Sequence, residues 1–388
     1  MKHAPLAALI LLLAGCAAAD PPADPTVAAT AEIATLPDSP TFQGSASRTG
    51  SFQPPLPRSE PSTRWAGDTG TRIRSSPSLQ DGVLYIGSWE GPVYALDALT
   101  GETLWTFDTG DEVVSTPAVA GEAVVFGSVT GMVHAVSRTD GSPLWEHDTG
   151  DLIYSSPLIA DGLAIIGSHA GTMTALAIET GSVVWQVETD GEVYSSPTLI
   201  GESVVFGSAD GTLRAVDVGT GAEIWLVDLG RPVWGSASAA DGVVYIGSHS
   251  GEVFALDAAS GAEIWVFETG GRVHATPALA AGLVVFGSID ESLYAVAAAT
   301  GEPVWSVETG GAVYASTAVV SDGENGVVIG TTEGEGEVRA YDLLTGDLLW
   351  AVSTGPAGDW RSSSPVVAGG LVFVGGSDGR VYAFESQE

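Results

Sequence analysis

Along most of the chain, apolar residues alternate with polar or small ones, and Gly-rich turns break the runs. Residues 151–185 show the grammar once. Leu152 to Ile159, which hold Ser155-Ser156-Pro157, read as a first strand, and Asp161-Gly162 as a two-residue hairpin turn. Leu163 to Ser168 read as a second strand, His169-Ala170-Gly171 as a turn, and Thr172 to Ala177 as a third strand. Val183 to Val187, carrying Trp185, read as a fourth. The repeats show no helical period, so the pattern predicts four short antiparallel strands per unit.

The units are marked by one phrase, Ala-x-Asp-x-x-Thr-Gly-x-x-x-Trp, cleanest from Ala95 to Trp105. Thr-Gly reverses the chain, and the Trp buries a large ring at a fixed distance from that turn. Copies end at Trp145, Trp185, Trp225, Trp265, Trp305 and Trp350, spaced by 40 residues except for 45 at the last step. Trp65 stands another 40 residues upstream. Such a period is the mark of a repeat architecture.

The Ser-Ser-Pro position occurs eight times, at Pro77, Pro117, Pro157, Pro197, Ala237, Pro277, Thr317 and Pro365. The eighth unit stops at Glu385, before any Trp, while Trp65 precedes any complete unit. The strand around Trp65 is therefore expected to complete the last blade and close the ring, which removes the edges of an open stack. The expected fold is all-β, an eight-bladed β-propeller over residues 41–388. A finer period of 80 pairs Asp81-Gly82, Asp161-Gly162 and Asp241-Gly242, as duplication of a two-blade unit leaves behind.

The recurring phrase closely resembles the quinoprotein-type, or PQQ-like, β-propeller repeats. Phe42-Gln43-Gly44 to Arg48-Thr49-Gly50 resembles the lead-in that precedes many such propellers. The resemblance implies a propeller with each Trp wedged between neighbouring blades. It also implies two possible roles. One is catalytic, as in dehydrogenases that hold pyrroloquinoline quinone and calcium. The other is non-catalytic, as in BamB, the lipoprotein of the outer-membrane β-barrel assembly machine.

Composition narrows these. The formal net charge is −35, which disfavours nucleic acid and anionic lipid surfaces as partners. The sole Lys is Lys2, and there is one cysteine, so no internal disulfide forms and the adjacent Cys pair of the alcohol dehydrogenases is missing. No Glu, Asn and Asp set in a calcium context stands out. The chain reads as a non-enzyme without a cofactor or metal, similar to BamB. The alternatives are an envelope propeller that reads a small ligand or polysaccharide, and a quinone-dependent dehydrogenase.

Residues 1–15 read as a signal peptide: Leu6 to Leu13 form an apolar run too short to span a bilayer. Leu13-Ala14-Gly15-Cys16 resembles a bacterial lipobox, which implies lipid modification of Cys16. Ala17 after it favours the outer membrane where one exists. Residues 16–40, rich in Ala and Pro, read as a flexible tether. The expected protein is a monomeric propeller held to the membrane by its lipid alone, facing envelope proteins and possibly the β-barrel assembly machine.

Its binding face follows from topology. Loops leading into the first strands share a face with the turns between second and third strands. The residues before the Ser-Ser-Pro positions are Arg74, Val114, Tyr154, Tyr194, Trp234, His274, Tyr314 and Ser362. Trp89, His169 and His249 lie in turns on the same face, and a longer loop adds Trp360 and Arg361. Tyr and Trp suit strands in any case, but gathered with Arg at one mouth they make candidate partner-binding residues. Those singled out are Trp89, Tyr154, Tyr194, Trp234, His274, Tyr314, Trp360 and Arg361. The histidines fall on different blades, so duplication accounts for them better than metal ligation.

Overall fold

The computed structural model describes Met1 and residues 36–333, 336–355 and 363–386. Eight four-stranded antiparallel units form an eight-bladed propeller. In the third blade the strands are Leu158–Ala160, Leu163–Ser168, Thr172–Ala177 and Val183–Glu188, from the axis outward. Asp161 and Gly162 both hold positive φ, 49° and 75°, as a type I′ hairpin requires.

The first strand is shorter than the alternation suggests. It begins after Ser-Ser-Pro and spans three residues, Leu158–Ala160, not Leu152 to Ile159. The preceding segment bonds to neighbouring blades instead. Ile153 N donates to Ser128 O and Val193 N to Ser168 O, so each lead-in loop bridges consecutive blades. Proline, with no N–H to give a ladder, separates the two bonding patterns.

Closure is made by Ser62–Asp68, the outer strand of the last blade, antiparallel to Arg380–Glu385 with Trp65 opposite Ala383. Seven of the eight blades are joined to the next by a hydrogen bond from their Trp. Trp65 Nε1 donates to Ala98 O, Trp105 to Arg138 O, Trp145 to Ile178 O and Trp185 to Val218 O. Trp225 donates to Ala258 O, Trp265 to Ala298 O and Trp305 to Leu343 O. The ring then lies against the Gly of the next blade's Thr-Gly turn: a Cβ on Gly181 would stand 2.6 Å from Trp145. Between blades sit dry cores such as Trp185 with Val204, Phe206 and Val216. Each such side chain contributes about 1.5–3 kcal/mol of burial.

Residues 36–40, read from the sequence as the end of the tether, already pair with the propeller, as at Ser39 with Leu79. From Leu36 to Pro57 the chain makes a circuit of one face, opposite the lead-in loops. Ser39 pairs with Leu79 of the first blade, and Pro40 O accepts from Val119 N of the second. Thr41 Oγ1 donates to Pro157 O of the third. Ala46, Ser47 and Thr49 carbonyls accept from Leu199, Ala239 and Leu279 of the next three. Ser51–Phe52 adds a parallel strand to the seventh blade, beside Val319 and Val320. Pro57 O then takes the Nε1–H of Trp350, 2.7 Å away, where a Thr-Gly turn serves in other blades.

Arg48 plugs the axis. It is fully buried and donates to Phe42 O, Ser156 O, Pro157 O and Pro197 O. Burial pushes its guanidinium down to about 9, which leaves it protonated at neutral pH. Carbonyl dipoles, not a carboxylate, hold the charge.

Candidate functional site: the mouth of the axial funnel

The belt closes one end of the axis, and the other end opens as a funnel floored by Phe42. It encloses about 810 Å³ of empty space, open solvent at the mouth included. Its wall carries a ring of hydroxyls, one per blade, from the second residue of each Ser-Ser-Pro position. Ser156 Oγ accepts from Thr116 N, Ser196 from Ser156 N, and Ser236 from Ser196 N. Ser316, Ser364 and Ser76 accept from Thr276, Ser316 and Ser364 N. The serines stitch blades together around the axis.

Above the hydroxyls runs an arc of rings. Tyr154 stacks on His169 with centroids 5.0 Å apart, and His169 leans on Tyr194 at 4.1 Å. Tyr194 stacks on Trp234 at 4.6 Å, and Trp234 meets His249 at 4.1 Å. His249 and His274 follow at 4.5 Å, and His274 and Tyr314 at 5.4 Å. Seven rings from five consecutive blades thus form one half of the rim. Each is half-buried. On the other side the described wall carries the smaller Val114, and Arg74 lies there with its guanidinium 3.4 Å from the Trp89 ring centroid.

The topology therefore brings five singled-out residues, Tyr154, Tyr194, Trp234, His274 and Tyr314, into one arc. Trp89 is apart from it, engaged by Arg74. Trp360, Arg361 and Cys16 lie outside the described residues. His169 and His249, read as relics of duplication, stand inside the arc; their place on the mouth face was the available signal. Phe42 and the hydroxyl ring had no such signal, because their role depends on the belt and the ring closing.

Electrostatics inside the funnel are mild. Among the described residues, Arg74 is the one charged side chain that lines it, and no Asp or Glu does. Burial lowers the His169 pKa against the opposing pull of Asp151 and Glu192, so the ring is neutral at pH 7. Burial raises Glu112, against the pull of Arg74. Elsewhere, His134 is buried and meets Glu146 at 3.2 Å, a structural pair. Among the described residues, no group of three or more His, Cys, Asp or Glu converges to hold a metal ion. A lining without carboxylates does not fit a calcium-held quinone.

Repeats, fold and funnel define an eight-bladed PQQ-like propeller. A family model described as outer membrane protein assembly factor BamB matches residues 58–191, 129–225 and 209–388, and the chain belongs to that family. No curated protein sequence matches it. Among solved structures it is similar to BamB from Moraxella catarrhalis: TM-score 0.70, 21% identity, 84% of this chain and 99% of that one. It is similar to the computationally designed Ika8 protein, at TM-score 0.69 and 20% identity, over 83% and 99%. It is also similar to the quinohemoprotein alcohol dehydrogenase of Comamonas testosteroni, at TM-score 0.74 and 17% identity, over 93% and 84%. At these identities the likeness concerns the fold alone.

Proposed function

We propose that the protein is a non-catalytic, lipid-anchored scaffold of the cell envelope that docks an envelope protein at the funnel mouth. The partner class that fits its family is the outer-membrane β-barrel assembly machinery. One observation carries this reading: the arc of half-buried rings beside an Arg-bearing stretch of wall. Aromatic and Arg residues grouped at one concave rim are the usual composition of an interface centre. The absence of carboxylates among the described lining residues weighs against the dehydrogenase chemistry of other propellers, since a shared fold does not carry a shared reaction.

The test is site-specific photocrosslinking in native membranes, with the probe at position 154 or 234, or at Leu104 on the circumference as a control. Crosslinks to β-barrel assembly subunits from the mouth alone are expected. Crosslinks only from the circumference would overturn the reading. Anchoring is tested separately. Cys16→Ser is expected to move the protein from the membrane pellet to the soluble fraction, and a variant that still pellets would require another attachment.

A further inference from the structure

Inside the rim, the funnel has a chemistry of its own that protein docking does not use. Ser76, Ser156, Ser196, Ser236, Ser316 and Ser364 are each at least 93% buried, with relative exposures of 4–7%, and line the funnel. Each Oγ takes one backbone N–H, as described above. A serine hydroxyl has one proton and two lone pairs, so each keeps a proton and a lone pair for something else. The funnel thus offers hydroxyls from six of its eight blades that can both donate and accept.

Charge decides what such a ring suits. In a chain of net charge −35, no acid is among the described residues that line the funnel, and the one cation among them is engaged by an aromatic face. A cationic ligand would find no counter-charge, and an anionic one only Arg74. Arg48 lies beneath the floor with its donors on carbonyls. What remains is a neutral ligand rich in hydroxyls. The rings agree with this. Those in the middle of the arc are covered by neighbours on both sides, while among the described rings the end ones, Tyr154 and Tyr314, meet neighbours towards one side. An apolar platform next to donor–acceptor hydroxyls matches the alternating faces and edges of a sugar ring. A small, concave, mostly preformed cavity is the setting in which such a ligand is held.

We propose that the funnel binds a neutral oligosaccharide, entering end-on along the axis. The source is either a free oligosaccharide or the end of an envelope polysaccharide chain. The proposal goes beyond the scaffold reading, because its serine ring lies below the rim; only the end rings, Tyr154 and Tyr314, are shared with the docking face.

The test uses the folded protein and three trisaccharides, chitotriose, maltotriose and cellotriose, followed by tryptophan fluorescence and by saturation-transfer NMR. At least one is expected to bind at submillimolar to millimolar concentration. Val114→Trp, which adds bulk to the funnel wall at a residue outside the serine ring, is expected to weaken that binding more than tenfold. Tyr154→Phe with Tyr314→Phe, which removes two hydroxyls and keeps both rings, is expected to weaken it several-fold. Melting temperatures of all variants are measured alongside, so a folding defect is not read as lost binding. Retention on the matching insoluble polysaccharide, competed by the trisaccharide, identifies chain ends as the source. Binding of the trisaccharide without such retention identifies the free sugar. The proposal is overturned if none of the three binds at about 10 mM, or if Val114→Trp binds as well as the parent. Neither result touches the photocrosslinking of a protein partner at the rim, so the two readings fail separately.

Discussion

At the scale of single residues, the joints between blades are tryptophan on glycine. Gly181 has φ +68°, and a Cβ there would stand 2.6 Å from the Trp145 ring. Gly150 has φ +90° but nothing within 4 Å of a Cβ. The two alanine substitutions therefore separate backbone strain from steric loss. Gly150→Ala is expected to cost about 1 kcal/mol, the strain alone. Gly181→Ala is expected to cost about 3 kcal/mol, because the Trp must also shift. Urea melts of both variants measure the difference, and equal losses would deny the ring-on-glycine joint. These joints were legible in the sequence because Thr-Gly and Trp recur together. Arg48 was not: a lone Arg in a lead-in gives no sign that it will be buried among carbonyls from two blades.

At the scale of elements, the alternation located second, third and fourth strands well and overextended the first. The reason is that alternation reports which side chains are buried, not where the backbone bonds go. Residues 152–157 are buried or half-buried, yet they lie outside the blade's ladder and bond across to other blades, as Ile153 N does to Ser128 O and Ser156 N to Ser196 Oγ. Each outer strand also carries a feature invisible to pattern. Its register slips just before the Trp, as between Ala95 and Leu96 opposite Trp105 and Thr103. The bulged residue is turned outwards: Leu104, Leu144, Val184, Ile224, Ile264 and Val304 are each 46–53% exposed. A bulge of this kind twists a free edge away from another strand. Most of these strands also end in an acid, among them Asp108, Asp148, Glu188 and Asp228. Charge on edges that carry exposed aliphatics opposes pairing between molecules, which gives the acidity of the chain a local use.

The turns have their own pH response. Asp257 accepts from Ser260 Oγ at 2.6 Å and Ser260 N at 2.9 Å, and the Ser260 side-chain bond chiefly holds its carboxyl below the ordinary 3.8. Asp217 is lowered in the same way by Thr220. A carboxyl whose folded pKa is depressed stabilises the fold above the unfolded value, and that stability is lost as pH falls through the folded one. The melting temperature is thus expected to fall below about pH 4. Asp257→Asn with Asp217→Asn should flatten that fall, and an unchanged slope would deny these turns a part in it.

At the scale of the whole molecule, blade count and closure were legible because the repeats leave one Trp without a unit and one unit without a Trp. Deleting residues 62–68 removes the strand that meets both requirements. Aggregation or loss of a cooperative melt is expected, with an intact transition in the deleted protein as the result that would refute closure. The mouth was legible as a face, since topology alone puts the lead-in loops together. Its depth was not, because the floor comes from residues far away in sequence. That distance sets an order in time. The belt is synthesised before any strand it bonds to, and its contacts reach Val319 and Trp350. Trp350 and Pro57 are separated by 293 residues. At about 5–20 residues per second, the Pro57 end of the belt waits roughly 15–60 s for Trp350 to be made. Until then the nascent ring is an open arc with both ends bare, so the protein is most exposed to misassembly while it is nearly complete.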